Sequence, residues 1–229
     1  MVRVGIVDLS KSNLCDFDIN KIQQGAERER IEKTKNKEQR ERRIAAYLLL
    51  ERMLKDVLLD GEMPRIIYTP RGKPCFDDVC GVNLNCHFNI SHNGDVAVVA
   101  VSDAEVGVDV QLQNASEDSK SRVAARFADA LFSLDGRDES NLCVDFSFFV
   151  IKDGEVSERD NAKIANFTKS ETAENFFARW TLLESALKLD GGGFASIGNI
   201  SAIVERASFK TVSFEIQDEK YALTVAQSK

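Results

Sequence analysis

One pattern governs what this chain can fold into: a long helix followed by antiparallel strands, laid down once in each half. The first helix is read over residues 33–60, where a charged block, EKTKNKEQRERR, leads into IAAYLLLERMLKDVLL with apolar residues at helical spacing. Gly61 and Pro64 end it. The second helix is carried by ARWTLLESALKLDGGG, residues 178–193. Around them the period drops to two. Residues 2–9 alternate, 65–68 form a short strand, 96–101 are almost continuously apolar, and VGVDVQ follows at 106–111. The chain ends in two more strands, FKTVSFEI and KYALTVAQ. Residues 121–132 read as another amphipathic helix. The charged excursion over 134–170 contains CVDFSFFVIKDGEVSE, a local hairpin turning at Asp153-Gly154. The pattern predicts an α+β fold with two similar halves, residues 1–103 and 104–229, each pairing antiparallel sheet with a long helix.

Composition narrows the function. At 229 residues and 43% hydrophobic, the chain can bury a core as one large domain or two small ones. A net charge of −7 argues against a general binder of nucleic acid or anionic membrane. No apolar run is long enough to span a bilayer, and MVRVGIVDLS reads as a strand rather than a signal peptide, so the expected compartment is the cytoplasm. The five cysteines, Cys15, Cys75, Cys80, Cys86 and Cys143, contain no CxxC, so neither a disulfide framework nor a zinc pattern is expected. Cys75, Cys80, Cys86 and His87 cluster in sequence and are read as half-buried thiols in a strand-rich region.

Candidate chemistry sits in four places. On the second helix, Phe176, Trp180, Leu183 and Leu187 share one face and Leu182, Ala186 and Leu189 another. Thr181, Glu184 and Lys188 occupy the narrow polar strip between, which suits a cleft as well as it suits a helix salt bridge at i, i+4. In VGVDVQ the valines point one way and Gly107, Asp109 and Gln111 the other; a buried Asp109 needs a partner, a metal ion or an arginine. Asn89, Ser91, His92, Asn93 and Gly94 are read as a polar turn whose histidine can hold a phosphate. Arg40, Arg42 and Arg43 crowd a helix start, and Arg71 and Lys73 flank the turn at Gly72, local basic sites that suit a small polyanion.

Taken in order, RGKP, FNISHNG, GVDV and WTLLESALK resemble the 4′-phosphopantetheinyl transferases, in the longer, pseudo-dimeric type that activates peptide synthetases. The resemblance covers residues 42–193. It implies two α+β halves packed with pseudo-twofold symmetry. It also implies an enzyme, a holo-acyl-carrier-protein synthase. Such an enzyme moves the phosphopantetheine arm of coenzyme A, its co-substrate, to a serine of an apo acyl or peptidyl carrier protein. Adenosine 3′,5′-bisphosphate leaves, and Mg²⁺ is required, with Mn²⁺ as a substitute. Residue by residue, the resemblance makes Asp109 and Glu184 metal-binding carboxylates, with Gln111 beside them, and Lys188 the lysine that contacts the reacting phosphate and assists proton transfer. It makes His92 the ligand of the coenzyme 3′-phosphate, with Ser91 in the same turn, and puts Lys73 and Pro74 near the adenine. Arg42 matches a basic helix residue near the coenzyme phosphates. A monomer is expected.

The chain departs from the family pattern in three places. Leu183 stands where a lysine is usual, Gln111 where a second acidic residue is usual, and the 134–170 excursion is long and charged. A non-catalytic homologue that binds coenzyme A or a carrier is the alternative, supported by Leu183 and Gln111 and opposed by Asp109, Glu184, Lys188 and His92. A different coenzyme A enzyme would not need the aspartate–glutamate pair.

Overall fold

A computed structural model describes residues 1–12, 17–55, 63–77, 86–114, 116–132, 134, 142–159, 168–169 and 176–229. The architecture is α+β. Strand β1 (Val2–Asp8) is followed by helices α1 (Gly25–Glu32) and α2 (Lys37–Leu54), strands β2 (Ile66–Tyr68) and β3 (Pro74–Phe76), and strands β4 (His87–Asn93), β5 (Val96–Ser102) and β6 (Val106–Leu112). Next come α3 (Glu117–Arg126), α4 (Ala128–Phe132), β7 (Val144–Lys152), β8 (Glu155–Glu158), β9 (Thr168–Lys169) and α5 (Phe176–Asp190). A 3₁₀ segment (Gly193–Asn199), α6 (Ile200–Glu205), β10 (Ala207–Ile216) and β11 (Glu219–Ser228) close the chain.

Two sheets stack between two helices. The first runs β4-β5-β1-β7-β8 and the second β6-β11-β10-β9. One face of the first sheet, through Val7, Ala97, Val99 and Val101, packs on α2. Its other face, through Val4, Ile6, Val96 and Val98, meets Val108, Val110, Leu223 and Val225 of the second sheet. Helix α5 covers the far side of that second sheet. Strand β5 is therefore buried on both faces, which explains its unbroken apolar sequence. The strand–helix–hairpin order recurs: β5 lies between β1 and β4 just as β11 lies between β6 and β10.

Two expected boundaries move. Helix α2 starts at Lys37, because the Asn36 side chain accepts the Gln39 N–H at 2.9 Å and caps it; α1 is a separate helix before it. The single helix expected over 121–132 is two helices. Phe127 leaves helical dihedrals between them and puts its ring 5.4 Å from that of Trp180 and 5.3 Å from that of Phe194. The 153–154 hairpin is present as β7–β8, with Asp153 and Gly154 both at positive φ. It also adds to the first sheet, because β7 pairs in parallel with β1 from Val2↔Val144 onward.

The polar turn expected over residues 89–94 is mostly strand: β4 pairs with β5 from His87 to Asn93, and only Gly94, at φ +53°, lies in the turn. Its alternate side chains face the second half. Asn89 Oδ1, Ser91 Oγ and Asn93 Oδ1 accept the backbone N–H groups of Val108, Val110 and Leu112 at 3.0, 3.3 and 3.2 Å. These side chains take the place of a neighbouring strand's carbonyls and join the halves. Among the described residues, no helix is long and apolar enough to cross a membrane.

Candidate active site

Three elements build the polar centre of one cleft of about 420 Å³. Strand β4 brings Ser91 and His92, β6 brings Asp109 and Gln111, and α5 brings Glu184 and Lys188. The alternation of β6 sends Val106, Val108 and Val110 into the inter-sheet core and so aims Asp109 and Gln111 the other way. Gly107 lies on the same side as Asp109. A Cβ there would stand 2.1 Å from the Ser185 carbonyl oxygen and 2.5 Å from the Leu189 nitrogen, so α5 can rest directly on β6 only over a glycine.

That close approach assembles the polar centre. Lys188 Nζ lies 2.7 Å from Asp109 Oδ1 and also donates to Ser91 Oγ at 2.9 Å and the Val108 carbonyl at 3.1 Å. Ser91 Oγ in turn donates to Asp109 Oδ1 at 2.9 Å. The second carboxylate oxygen, Oδ2, accepts from Gln111 Nε2 at 3.1 Å, and Gln111 Oε1 accepts from Asn93 Nδ2 at 2.9 Å. Asp109 is 1% exposed, and its charge is offset by Lys188 within hydrogen-bond reach. Burial pushes the Glu184 carboxyl up to about 7, and the nearby Asp109 carboxylate adds to the rise; Lys188 and a hydrogen bond with Trp180 oppose it. Two carboxylates that repel one another are the donor set a divalent cation relieves. Among the described residues no group of three or more His, Cys, Asp or Glu side chains gathers around a common point, so the pair stands alone.

His92 faces the same cleft. Burial and the charges of Lys188, Arg42 and Arg43 push its imidazole down to about 4, so it is neutral at pH 7 in a field of cations. Of those arginines it is Arg43, not Arg42, that lines the cleft. Arg42 Nε donates to the Gly94 carbonyl at 2.7 Å, and its guanidinium pairs with Glu38 at 3.2 Å, so it braces the β4–β5 turn. Lys73 also lies off this cleft. It pairs with Glu105, donates to the Leu189 carbonyl at 3.0 Å, and borders an adjoining hollow of about 270 Å³. Pro74, Ile90 and Lys188 line both hollows, so the two adjoin.

Thr181 does not belong to the strip expected with Glu184 and Lys188. It is fully buried, with Oγ1 2.8 Å from Thr224 Oγ1, which is 3.0 Å from Thr211 Oγ1. Three residues before Glu184, it falls about 60° round the helix from that residue, far enough to face the sheet. Leu183, where the family pattern has a lysine, is fully buried in the α4–α5–α6 core. Cys75 and Cys86 are half-buried and Cys143 is exposed; Cys15 and Cys80 lie outside the described residues.

The sequence reading missed one end of the cleft. Glu27, Arg30 and Ile31 of α1, Tyr47 of α2 and Tyr68 of β2 line it together. The available signal was Ile31, four residues after Glu27 in an otherwise polar helix, which marks the face turned to the core.

Residues 12–104 match a family model described as 4′-phosphopantetheinyl transferase, N-terminal. The matched stretch contains Arg42, Lys73, Pro74, Ser91 and His92, while Asp109, Gln111, Glu184 and Lys188 follow it. A search of curated proteins returns no match. The match supports a phosphopantetheinyl transferase.

Proposed function

We propose that the chain transfers the 4′-phosphopantetheine group of coenzyme A to a serine of an apo acyl or peptidyl carrier protein. It would act as a monomer in the cytoplasm, through two pseudo-symmetric halves, residues 1–103 and 104–229. The observation that carries the reading is the convergence of His92, Asp109, Glu184 and Lys188, from three elements, on one cleft that the transferase match adjoins.

Asp109 and Glu184 would hold Mg²⁺ or Mn²⁺, with Gln111 beside them. The fit rests on the carboxylate pair of buried Asp109 and half-buried Glu184, since magnesium sites use one or two carboxylates and complete their shell with waters and substrate phosphates. The bound ion would offset the charge of the pyrophosphate. Lys188, already 2.7 Å from Asp109, would turn to a phosphate oxygen as the coenzyme enters. His92, uncharged without ligand, would take up a proton to meet the 3′-phosphate, and Arg43 would add a second positive contact. Lys73 and Pro74 would flank the adenine side, where the two hollows join.

The carrier serine Oγ would form a bond to the β-phosphorus as the bond to the bridging oxygen breaks, and adenosine 3′,5′-bisphosphate would depart with that oxygen. Glu184 would accept the hydroxyl proton at its carboxylate. Phe194, 48% exposed and 6.1 Å from Trp180 ring to ring, would receive an apolar side chain of the carrier next to Glu184. The test is to incubate the protein with coenzyme A, Mg²⁺ and a panel of apo carriers and weigh the carriers. A phosphopantetheine mass gain is expected. Tight coenzyme binding with no gain on any carrier would favour the binding-only alternative.

A further inference from the structure

The hydroxyl of Ser91 has no capacity left for a ligand. A serine hydroxyl offers one donor and two acceptor lone pairs. Ser91 Oγ donates to Asp109 Oδ1 at 2.9 Å, accepts from Lys188 Nζ at 2.9 Å and accepts the Val110 N–H at 3.3 Å. The residue is 6% exposed. An ionised phosphate brings only acceptors, so it could meet Ser91 through the single hydroxyl hydrogen alone, and that hydrogen is committed to Asp109. Ser91 and His92 are also consecutive on β4 and project from opposite faces of it.

The other oxygen of Asp109 is held from the same strand. Asn93 Oδ1 accepts the Leu112 N–H, so Asn93 turns its Nδ2 to Gln111 Oε1. Gln111 therefore turns its own Nε2 to Asp109 Oδ2 at 3.1 Å. A backbone N–H of β6 thus dictates the direction of each bond in the relay, and donors grip the carboxylate at both oxygens. Lys188 is the one member of this set that is drawn to a phosphate oxygen when the coenzyme enters. Once it turns away, an acceptor site on Oδ1 is open to a cation, and Ser91 is the bond that still fixes that oxygen. The bond also crosses the seam, from a strand of the first half to a carboxylate of the second.

We propose that Ser91 is a positioning residue for the transfer reaction: it holds Asp109 for the cation and does not touch the coenzyme phosphates. The proposal rests on the coenzyme and metal reading above. It reverses one assignment of the resemblance, which groups Ser91 with His92 at a phosphate.

The experiment measures two affinities on each protein with no carrier present, so that no turnover occurs. Coenzyme A is titrated by calorimetry in EDTA. Mn²⁺ is titrated at saturating coenzyme A, with the free ion followed by electron paramagnetic resonance. The proteins are the wild type, Ser91→Ala, Ser91→Cys and Asn89→Ala. Asn89 accepts the Val108 N–H at 3.0 Å in the same ladder and so controls for a purely structural effect at the seam. Ser91→Cys keeps nearly the same volume but bonds only weakly, and it carries the test should Ser91→Ala fail to fold. Loss of a side chain that orients a metal ligand is expected to weaken Mn²⁺ by roughly ten- to a hundredfold in both Ser91 variants. Asn89→Ala should hold Mn²⁺ as the wild type does. Coenzyme A affinity in EDTA should change by less than about threefold, because a lost charge-assisted bond to phosphate would cost about tenfold or more. A coenzyme A loss of that larger size would make Ser91 a phosphate ligand and overturn the proposal. An unchanged Mn²⁺ affinity in the Ser91 variants overturns it too, with the metal reading intact. So does an equal Mn²⁺ loss in Asn89→Ala, which would trace the effect to the seam. A wild type that binds coenzyme A yet takes up no Mn²⁺ refutes the metal reading first, and the proposal with it.

Discussion

Gly107→Ala is the sharpest perturbation the geometry offers, because one methyl group tests the helix placement on which the whole site depends. The added Cβ would meet the Ser185 carbonyl at 2.1 Å and the Leu189 backbone at 2.5 Å, whereas ordinary contact begins at 3.4 Å. Both neighbours are backbone atoms of α5, so no side chain can swing aside. The helix must lift by on the order of 1 Å, carrying Glu184 and Lys188 with it. Overpacking of this kind costs about 1–3 kcal/mol, which for a chain of this length lowers the melting temperature by roughly 2–12 °C. A displacement of that size between catalytic groups costs about a hundredfold in turnover efficiency. The assay is thermal unfolding together with kcat/KM for carrier modification. Gly198→Ala serves as the control, since a Cβ at Gly198 meets nothing within 4 Å. Were Gly107→Ala to melt with the wild type and modify carrier at a normal rate, α5 would not sit on β6 as described, and the assignment of Lys188 to Asp109 would fall with it.

Asp109→Asn and Glu184→Gln should each lower carrier modification by more than a hundredfold while circular dichroism stays native, since the isosteric amides keep the packing and remove metal-binding charge; near-normal turnover at saturating Mg²⁺ in either variant refutes its metal role. His92→Asn should weaken coenzyme A on the order of tenfold to a hundredfold and leave dephospho-coenzyme A unaffected, as expected for one charge-assisted bond to the 3′-phosphate. The same variant carries a pH signature. The folded imidazole titrates near 4 and the unfolded one near 6.5, so between those values only the unfolded chain holds the proton and stability falls as pH drops. Denaturant melts at pH 7 and pH 5 should show that loss in the wild type and a smaller one in His92→Asn. Gln111→Glu puts a second charge where an amide now donates to Asp109 at 3.1 Å. About 1 kcal/mol for a partly solvated charge at contact distance should lower the Mg²⁺ needed for half-maximal activity a few-fold to tenfold, and an unchanged or raised requirement in a metal titration counts against position 111 facing the ion.

What the sequence revealed and what it hid follow from how local each determinant is. The side of β6 on which Asp109 lies was legible, because a two-residue period has only two faces and the valines claim one. Glu184 and Lys188 were legible as a pair on α5, but not the edge of their strip. Thr181 is polar by composition yet faces Thr224, and only the angle at which α5 meets the second sheet decides that. The strand character of residues 89–93 was obscured because their polar side chains serve as backbone partners for β6, a role with no periodic signature. Glu27 was hidden in a helix polar almost all round. Its partners Tyr47 and Tyr68 come 20 and 41 residues later, so nothing local marks it as buried. The docking of β7 beside β1 joins Val2 to Val144, a register that no local pattern encodes.

The side-chain ladder between β4 and β6 bears on how the protein keeps itself from sticking to others. Each of these strands stands at the end of its sheet, where a row of open N–H groups would be a template for a foreign strand. Asn89, Ser91 and Asn93 cover three such groups on β6 with short polar side chains. The seam is thus guarded without being closed into a continuous sheet. Anything that pries the halves apart, whether heat, denaturant or loss of Asn89, lays bare an unprotected edge on a strand whose valines are fully buried in the native state. The β6 edge is then open to pairing with a foreign strand, and it is the short polar side chains of β4 that keep it covered.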